Sequence, residues 1–528
     1  MGVKKMCRVM ALTGGIVATA TLAVAGQPKY VFFFLGDGMS TSQVQATEAY
    51  LTAQNGDDFN AAADLLKPQN RLNMTQMEVA GLQTTYDAHA LITDSASSAT
   101  AFACGLKTLS GVIGMDETKS TSYKSIAQLA HESGKKVGIL SSVSLDHATP
   151  AAYYASVDSR NDYRGIDEQL IATGYEFFGG GGLKKMTADE VETNSDYTVL
   201  NDRQSILALK DQPMDQVICI NPWLQDSDAM PYAIDRPATN LSLAEMTGVA
   251  IANLSAEPDA RDWRNDRDTN RGKGKSWGKW KKSNRGHDRD NGFFIMVEGG
   301  KIDWACHAND AKAAIGDVID FDNAIEVAQN FCSDKGDDCL IVVTGDHETG
   351  GMTVGHATTG YTGHYDRLLP QTNSFTSFAA NQWAEHKSSP AANVCGGHLG
   401  SNNLAANSEM IQMMEDVFGL RYDGLNDYQK EKLEAAYDKS LCGSNDNSQA
   451  ENDLLYGYYE PIIVTITHIL NETASIGWTS YSHTGVPTAV YAQGDGAELF
   501  SGFYDNTDIA KKLAKVMGFG ASALPAVK

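Results

Sequence analysis

The stretch YVFFFLGDG at residues 30–38 joins six consecutive apolar residues to a glycine-rich end that carries Asp37. A short apolar run bounded by turn residues is typical of a strand that is buried on both faces. The same pattern recurs along the chain, and a helical pattern followed by a strand pattern occupies residues 125–140. The further apolar runs that end in glycine or in polar residues lie at 175–182, 292–300, 339–347 and 488–494. Strands that alternate with helices predict an α/β fold, with a largely parallel central β-sheet and helices on both faces.

Acidic and histidine side chains are concentrated where these predicted strands end. In open α/β sheets, ligands bind outside the carboxyl ends of the strands. Six such residues offer nitrogen or oxygen ligands, namely Asp37, Asp303, His307, Asp346, His347 and His483. Each alone is equally compatible with a helix cap or a hydrogen-bonded core residue. Together they suit two borderline metal ions such as Zn²⁺, and Thr149 and Glu298 add oxygen ligands that suit Mg²⁺.

The segment ITDSASSATAFACG at residues 92–105 contains three serines within four positions. One interpretation is a helix start of small residues, capped by Asp94 or Ser95 and packed closely against the sheet. The other is a reactive serine at a helix N-terminus, where free N–H groups and the positive end of the helix dipole favour an anion. The segment by itself leaves both interpretations open.

The composition is that of a globular protein with a strong excess of acidic residues, and the formal net charge is −24. Such a surface argues against non-specific nucleic-acid binding, and we expect no nucleic-acid reader. Residues 1–25 have the basic start, the apolar stretch and the AVA cleavage pattern of a secretory signal peptide. We therefore expect a periplasmic or secreted protein without a transmembrane anchor after cleavage.

Two stretches of residues 26–528 are predicted to be insertions in a single domain. Residues 258–291 are polar, glycine-rich and basic, which predicts a flexible segment. Residues from about 355 to 475 have a helical pattern of their own, which predicts a helical insertion that serves as a lid or a dimer clasp.

The cysteines fit an exported protein, because an oxidising compartment permits disulfides. Cys332 and Cys339 flank the turn-like SDKGDD and are the first candidate pair, and Cys395 and Cys442 are the second. The remaining cysteines of the mature chain are expected to be buried thiols, namely Cys104, Cys219 and Cys306.

Taken together, the motifs resemble the alkaline phosphatase family, particularly its bacterial members, which are exported metal-dependent phosphomonoesterases. Residues 94–101 match the nucleophile motif D-S-A-x-(S/T)-A-T-A of that family. The other matches follow in the family's order: GDGM (36–39), DHATPAAYYASVDSR (146–160), MVEGGKIDWACH (296–307), TGDHETGG (344–351) and SHTGVP (482–487).

The resemblance implies a role for each matching residue. It implies Ser95 as the nucleophile, with Ser97 and Ser98 as small packing residues, and Arg160 as the phosphate clamp. It implies two Zn²⁺ and one Mg²⁺ per chain: one zinc on Asp303, His307 and His483, one on Asp37, Asp346, His347 and Ser95, and magnesium on Asp37, Thr149 and Glu298. His147 and Trp304 stand where family members differ, and we expect them near the substrate.

The function that the resemblance implies is hydrolysis of small phosphate monoesters at alkaline pH through a phosphoserine on Ser95. It also implies a homodimer. Two alternatives remain: a phosphodiesterase of the same superfamily, and an inactive phosphate- or polyanion-binding protein. Diesterases usually lack an arginine clamp such as Arg160, and mere binding would not require the serine.

Overall fold

The computed structural model describes residues 27–256, 291–392, 403–520 and 523–524. The predicted signal peptide, nearly all of the basic insertion at 258–291, and Cys395 lie outside these residues. Within the described ranges, no helix combines the length and the apolar character that a membrane span would need.

One large sheet forms the centre of the described structure, and it has ten strands there. They are β1 (Tyr30–Gly36), β2 (Val79–Thr84), β3 (Lys136–Ser141), β4 (Phe177–Gly180), β5 (Thr198–Leu200), β6 (Val217–Ile220), β7 (Phe293–Glu298), β8 (Cys339–Gly345), β13 (Thr488–Gly494) and β14 (Gly502–Asp505). Their spatial order is β14-β2-β13-β8-β1-β7-β3-β4-β6-β5. Every neighbouring pair is parallel except the two that involve β13.

Two short antiparallel ladders lie outside this sheet in the described part of the chain. They pair β9 (Glu348–Thr349) with β12 (His483–Thr484), and β10 (Thr353–Val354) with β11 (Ile476–Gly477).

Helices cover both faces of the sheet, as the sequence predicts. In the described residues they are α1 (Thr41–Gln54), α2 (Ala62–Leu65), α3 (Ser95–Cys104), α4 (Ile126–Glu132), α5 (Ala148–Ala151), α6 (Tyr163–Ala172), α7 (Ala188–Asn194), α8 (Arg203–Ala208), α9 (Leu243–Ser255), α10 (Lys301–His307), α11 (Ala311–Ser333), α12 (Phe375–Phe378), α13 (Ala384–Ser388), α14 (Ser408–Phe418), α15 (Asp427–Cys442), α16 (Gln449–Tyr456), α17 (Pro461–Thr473) and α18 (Thr507–Val516). Helices α3, α4, α5, α6 and α18 pack on one face, and α8, α9, α10 and α11 pack on the other.

The apolar run at the start of the chain is explained by this double covering. Successive side chains of a strand point to opposite faces, so a strand between two helical layers needs apolar residues at every position. In β1 they enter one core through Val31, Phe33 and Leu35 and the other through Tyr30, Phe32 and Phe34. The α/β prediction is confirmed.

Strand β13 runs against the direction of its neighbours, which the pattern of its residues does not reveal. The chain reaches β13 from the ladder strand β12, close to the carboxyl end of β8. A strand that starts at that edge without a helical crossover must run back antiparallel to β8.

Residues 355–475 leave and rejoin the main body at the ladder of β10 and β11, where Thr353 pairs with Gly477 and Val354 with Ile476. Between these strands, helix α12 and helices α14 to α17 share a third apolar core with α1 and α11. We call this segment the helical excursion. Its role as a lid or a dimer clasp stays a prediction.

The cysteine predictions agree with the structure where it describes them. Cys332 and Cys339 form a disulfide, with their Cα atoms 5.6 Å apart. Cys442 is also disulfide-bonded, and its partner lies outside the described residues. Three cysteines are buried free thiols, namely Cys104, Cys219 and Cys306.

Candidate active site

The predicted ligands lie at the carboxyl ends of the central strands of the sheet. Strands β8, β1, β7 and β3 are parallel neighbours, so their carboxyl ends lie side by side. Each of these four ends delivers polar residues to the same place: Asp346 and His347 after β8, Asp37 after β1, Glu298 at the end of β7, and His147 and Thr149 at the start of α5 after β3.

Asp37, Asp346 and His347 form a group that we call the strand-end triad. The Nε2 atom of His347 lies 3.4 Å from Oδ1 of Asp37 and 3.1 Å from Oδ2 of Asp346. The backbone N–H of Gly38 donates to Oδ1 of Asp346 at 3.0 Å, which fixes one strand end to the next. All three side chains of the triad are fully buried.

Asp303, His307 and His483 form a second group, the helix-and-ladder triad. Asp303 and His307 lie on one face of α10, as their spacing predicts, and His483 lies on β12. The Nε2 atom of His307 lies 3.3 Å from Oδ2 of Asp303, and that of His483 lies 3.5 Å from Oδ1. The Nδ1 atoms of the two histidines lie within hydrogen-bond distance of backbone carbonyls, at 2.6 and 2.7 Å. With Nδ1 donating there, the two Nε2 atoms, which lie 3.1 Å apart and face Asp303, are the nitrogens that can serve as ligands.

In the structure, His147 lies in the third predicted group, the one that the resemblance assigns to magnesium. Ligand atoms of Asp37, Glu298 and His147 lie within 4.8 Å of one another. Thr149, which we predicted here, is buried at the start of α5 and lowers the pKa of Glu298, but burial outweighs it and raises that pKa to about 8. His147 therefore stands in the site as a neighbour of Asp37 and Glu298.

The two triads differ in charge balance. Burial, together with the other carboxylates, raises the pKa of Asp37 well above its usual value and that of Asp346 to about 7. Burial acts in the same direction on Asp303, but His307 and His483 outweigh it and hold the pKa of Asp303 well below its usual value. In return Asp303 overcomes the burial of His307 and raises its pKa to about 9.

The donor set fits bound cations. Among the described residues, no group donates a hydrogen bond to either carboxylate oxygen of Asp37, to Oε1 of Glu298, or to Nε2 of His347. Buried polar atoms are costly without a partner, and carboxylate oxygens with imidazole nitrogens are ligands for divalent ions. The strand-end triad and the third group are thus arranged to accept positive charge.

Ser95 is the first residue of α3, and Asp94 caps the helix by accepting a hydrogen bond from the N–H of Ser97 at 3.0 Å. The Ser97 hydroxyl donates to Asp94 at 2.7 Å, and the Ser98 hydroxyl donates to Asp346 at 3.0 Å. Both serines are buried, as the packing role implies, and their hydroxyls also make side-chain hydrogen bonds. In the described ranges, no hydrogen bond uses the Ser95 hydroxyl.

Arg160 lies next to this helix start. Its Nη1 donates to Asp94 at 2.9 Å, and its Nη2 lies 3.3 Å from Nε2 of His147. Burial, followed by the charge of Arg160, lowers the pKa of His147 to about 3, so His147 is neutral and accepts this bond. The Trp304 ring lies 5.9 Å from the His147 ring, so His147 lies between Trp304 and Arg160 in this chain of contacts.

Two residues of the site were missed by the sequence reasoning. Thr349 donates to Oδ1 of Asp303 at 2.5 Å and lies 3.3 Å from Nδ1 of His347, so it connects the two triads. Glu348 accepts hydrogen bonds from Gln43 at 2.9 Å and from Thr484 across the β9–β12 ladder. Their position directly after His347 in TGDHETGG was the available signal.

Comparison with known proteins agrees with this site. The profile of the family described as "Alkaline phosphatase" matches residues 28–187 and 178–519 of this chain. The protein is 29% identical over 536 residues to alkaline phosphatase 4 of Bacillus subtilis strain 168, covering 97% of this chain and 96% of that protein.

Solved structures show the same fold. A cold-active alkaline phosphatase from a psychrophilic Shewanella species has a TM-score of 0.66 at 25% identity, covering 92% of this chain and 99% of that one. The alkaline phosphatase of Thermus thermophilus has a TM-score of 0.68 at 22% identity, covering 97% and 96%.

The sheet and the ligand-rich carboxyl ends of its strands define an α/β protein with a candidate metal centre. The chain belongs to the alkaline phosphatase family. It is therefore a phosphoric monoester hydrolase, and several groups of its described residues could hold a metal ion.

Proposed function

We propose that the enzyme hydrolyses phosphate monoesters through a covalent phosphoserine on Ser95. The observation that carries this proposal is the state of the three serines at the start of α3. The hydroxyls of Ser97 and Ser98 are held by Asp94 and Asp346, whereas that of Ser95 has no hydrogen bond among the described residues. An unengaged hydroxyl at a helix N-terminus, between an arginine and a carboxylate cluster, is placed to attack an anionic substrate.

The metal content that fits the donors is two zinc ions and one magnesium ion. The strand-end triad with Ser95 would hold one zinc ion and the helix-and-ladder triad the other. Asp37, Glu298 and Thr149 would hold the magnesium ion, with His147 beside it. When bound, these ions would supply Lewis-acid stabilisation of the negative charge that develops on the phosphoryl oxygens.

The protein's own residues account for the binding and the bond changes. Arg160, held by Asp94 and His147, would donate two hydrogen bonds to non-bridging phosphate oxygens. The Ser95 oxygen forms a bond to phosphorus while the bond to the alcohol oxygen breaks, and the alcohol leaves. Water then attacks phosphorus, the bond to Ser95 breaks, and inorganic phosphate leaves.

The test is to trap the intermediate. Enzyme mixed with ³²P-labelled monoester and quenched in acid should carry label on Ser95, and Ser95→Ala should carry none. Ser97→Ala is the matched control, since it removes a hydroxyl two residues away that is already bonded. A label on Ser97 or Ser98 would overturn the assignment.

A paired assay with p-nitrophenyl phosphate and its bis-ester separates the remaining candidates. The monoester should be hydrolysed far faster, because its phosphate group has a third non-bridging oxygen and a second negative charge, both of which a diester lacks, to place between Arg160 and the cation sites. Preference for the bis-ester would indicate a phosphodiesterase, and binding of phosphate without turnover of either ester would indicate a binding protein.

We also propose that the enzyme is exported after cleavage behind residue 25 and that it forms a homodimer. The signal-peptide pattern of residues 1–25 supports export, and the resemblance to the family supports the homodimer. N-terminal sequencing of the secreted protein and light scattering on it would test them, and an uncleaved or monomeric protein would contradict the respective point.

A further inference from the structure

A cavity of about 450 Å³ lies beside the helix-and-ladder triad, and the mechanism above does not use it. Its walls are the residue after the end of α10, the start of α17 with the residues before it, and the helical stretch 375–383 of the excursion. The residues that matter are Ala308, Phe375, Ala379, Ala380, Tyr459 and Ile463. The walls are mostly apolar, and the volume is that of a small-molecule pocket.

The cavity adjoins the ligand cluster through two connections. Ala308 directly follows His307 in the chain. The Tyr459 ring packs 5.8 Å from the Tyr481 ring, and the Tyr481 carbonyl is the partner of Nδ1 of His307. Burial, followed by the charge of Asp303, raises the pKa of Tyr459 far above its usual value, so this wall lies within electrostatic reach of the cluster.

The helical stretch on the far wall is irregular where it faces the cavity. Residues Ala379–Trp383 form a π-helical turn between α12 and α13. Such turns interrupt a helix at a cost and are frequent at functional sites. This turn presents the two small residues Ala379 and Ala380, which leave the space open, while Trp383 is buried in the excursion's core.

In the proposed reaction, Ser95 stands on the side of the strand-end triad, since Ser98 of the same helix turn binds Asp346. In-line displacement places the leaving alcohol on the opposite side, towards His307, whose chain neighbour Ala308 lines the cavity. We propose that this cavity binds the apolar part of the alcohol and makes the enzyme selective for phosphate monoesters of alkyl or aryl alcohols. The proposal rests on the proposed function of the site.

The experiment is a series of n-alkyl phosphates from ethyl to octyl, because the acidity of the alcohol changes little along it. For the wild-type holoenzyme, kcat/KM should rise about fourfold per methylene until the cavity is full. Ala380→Trp, which fills the cavity from its exposed side, should flatten the series. Ala384→Trp is the matched control on the same helical stretch, at an exposed position that does not line the cavity, and should keep the wild-type slope.

A flat wild-type series, or equal slopes for both tryptophan variants, would overturn the proposal while hydrolysis of ethyl phosphate upholds the proposed function. Absence of turnover of every monoester would overturn both. If Ala380→Trp does not fold, competitive inhibition of the wild type by n-alkylphosphonates still decides, since their inhibition constants should fall about fourfold per methylene.

Discussion

The strand-end triad and the helix-and-ladder triad meet at the carboxyl ends of the central strands but are built in different ways. The first consists of residues that follow the central strands β1 and β8, and its side chains are fully buried. The second combines helix α10 with the ladder strand β12, and the His307 side chain is 28% exposed. The chain between β9 and β12 contains the whole helical excursion, so the second triad is complete only when that excursion has folded back.

The position of the strand-end triad is therefore determined by the core of the sheet. The helix-and-ladder triad forms only when the distant segments α10 and β12 come together. In the first triad, the buried carboxylate of Asp37 has no hydrogen-bond partner among the described residues and requires positive charge. In the second triad, two histidines already balance Asp303. The metal ion of the second triad should therefore be the more exchangeable.

The largest effect is expected from removing the residue that two groups share. Asp37→Asn should lower kcat/KM by more than about a thousandfold and reduce the metal content, because Asp37 belongs to both the strand-end triad and the third group. His483→Gln should cost less and be partly restored by excess zinc. Atomic emission spectrometry measures the metal content of each variant, and a monoester assay measures its kcat/KM. His89→Gln, at an exposed histidine, is the control. Equal, unrestorable losses in both variants would remove the distinction between the triads.

Acidification should empty the helix-and-ladder triad first. Divalent ions bind the unprotonated ligands, so a proton competes with metal below the pKa of each group in the metal-free protein. For His307 that pKa is about 9, and for Asp346 it is about 7. Metal content after dialysis at stepwise lower pH should therefore fall in two stages, with the first stage absent in His307→Gln. A single stage in the wild type would contradict this order.

A smaller effect is expected at the link between the two triads. Thr349→Val removes the hydroxyl that donates to Asp303 and should lower kcat/KM about 10- to 100-fold, as for other residues that orient ligands. Thr349→Ser keeps the hydroxyl and should restore activity. The thermal midpoint of each variant shows whether folding has changed. Equal activity of the valine and serine variants would show that the hydroxyl does not position Asp303.

The smallest effect on activity is expected at the opposite end of the same strands, where β8 begins. Cys339 opens β8 and pairs with Cys332, while the same strand delivers Asp346 and His347 at its other end. Cys332→Ala with Cys339→Ala should lower the free energy of unfolding by about 2 kcal/mol, because the disulfide closes only a short loop. Urea unfolding measures this, and kcat should be unchanged. A large loss of kcat would show that the site depends on both ends of the strand.

Local patterns were sufficient for a large part of the fold and of the site. The apolar runs of β1, β7 and β8 and the acidic residues at their ends are written within single short segments. The spacing of Asp303 and His307 predicts their shared helix face, and the turn between Cys332 and Cys339 predicts their disulfide. These features depend on residues fewer than ten positions apart, so backbone periodicity and turn chemistry determine them.

Only the tertiary structure decided how distant segments meet. The antiparallel direction of β13, the hydrogen bond from Ser98 to Asp346, the approach of His483 to Asp303, and the apolar cavity beside His307 join residues that lie more than fifty positions apart. No local pattern encodes such pairs. They form because buried strands, helices and polar groups must all find partners in one packed interior, and that requirement is satisfied by the whole chain at once.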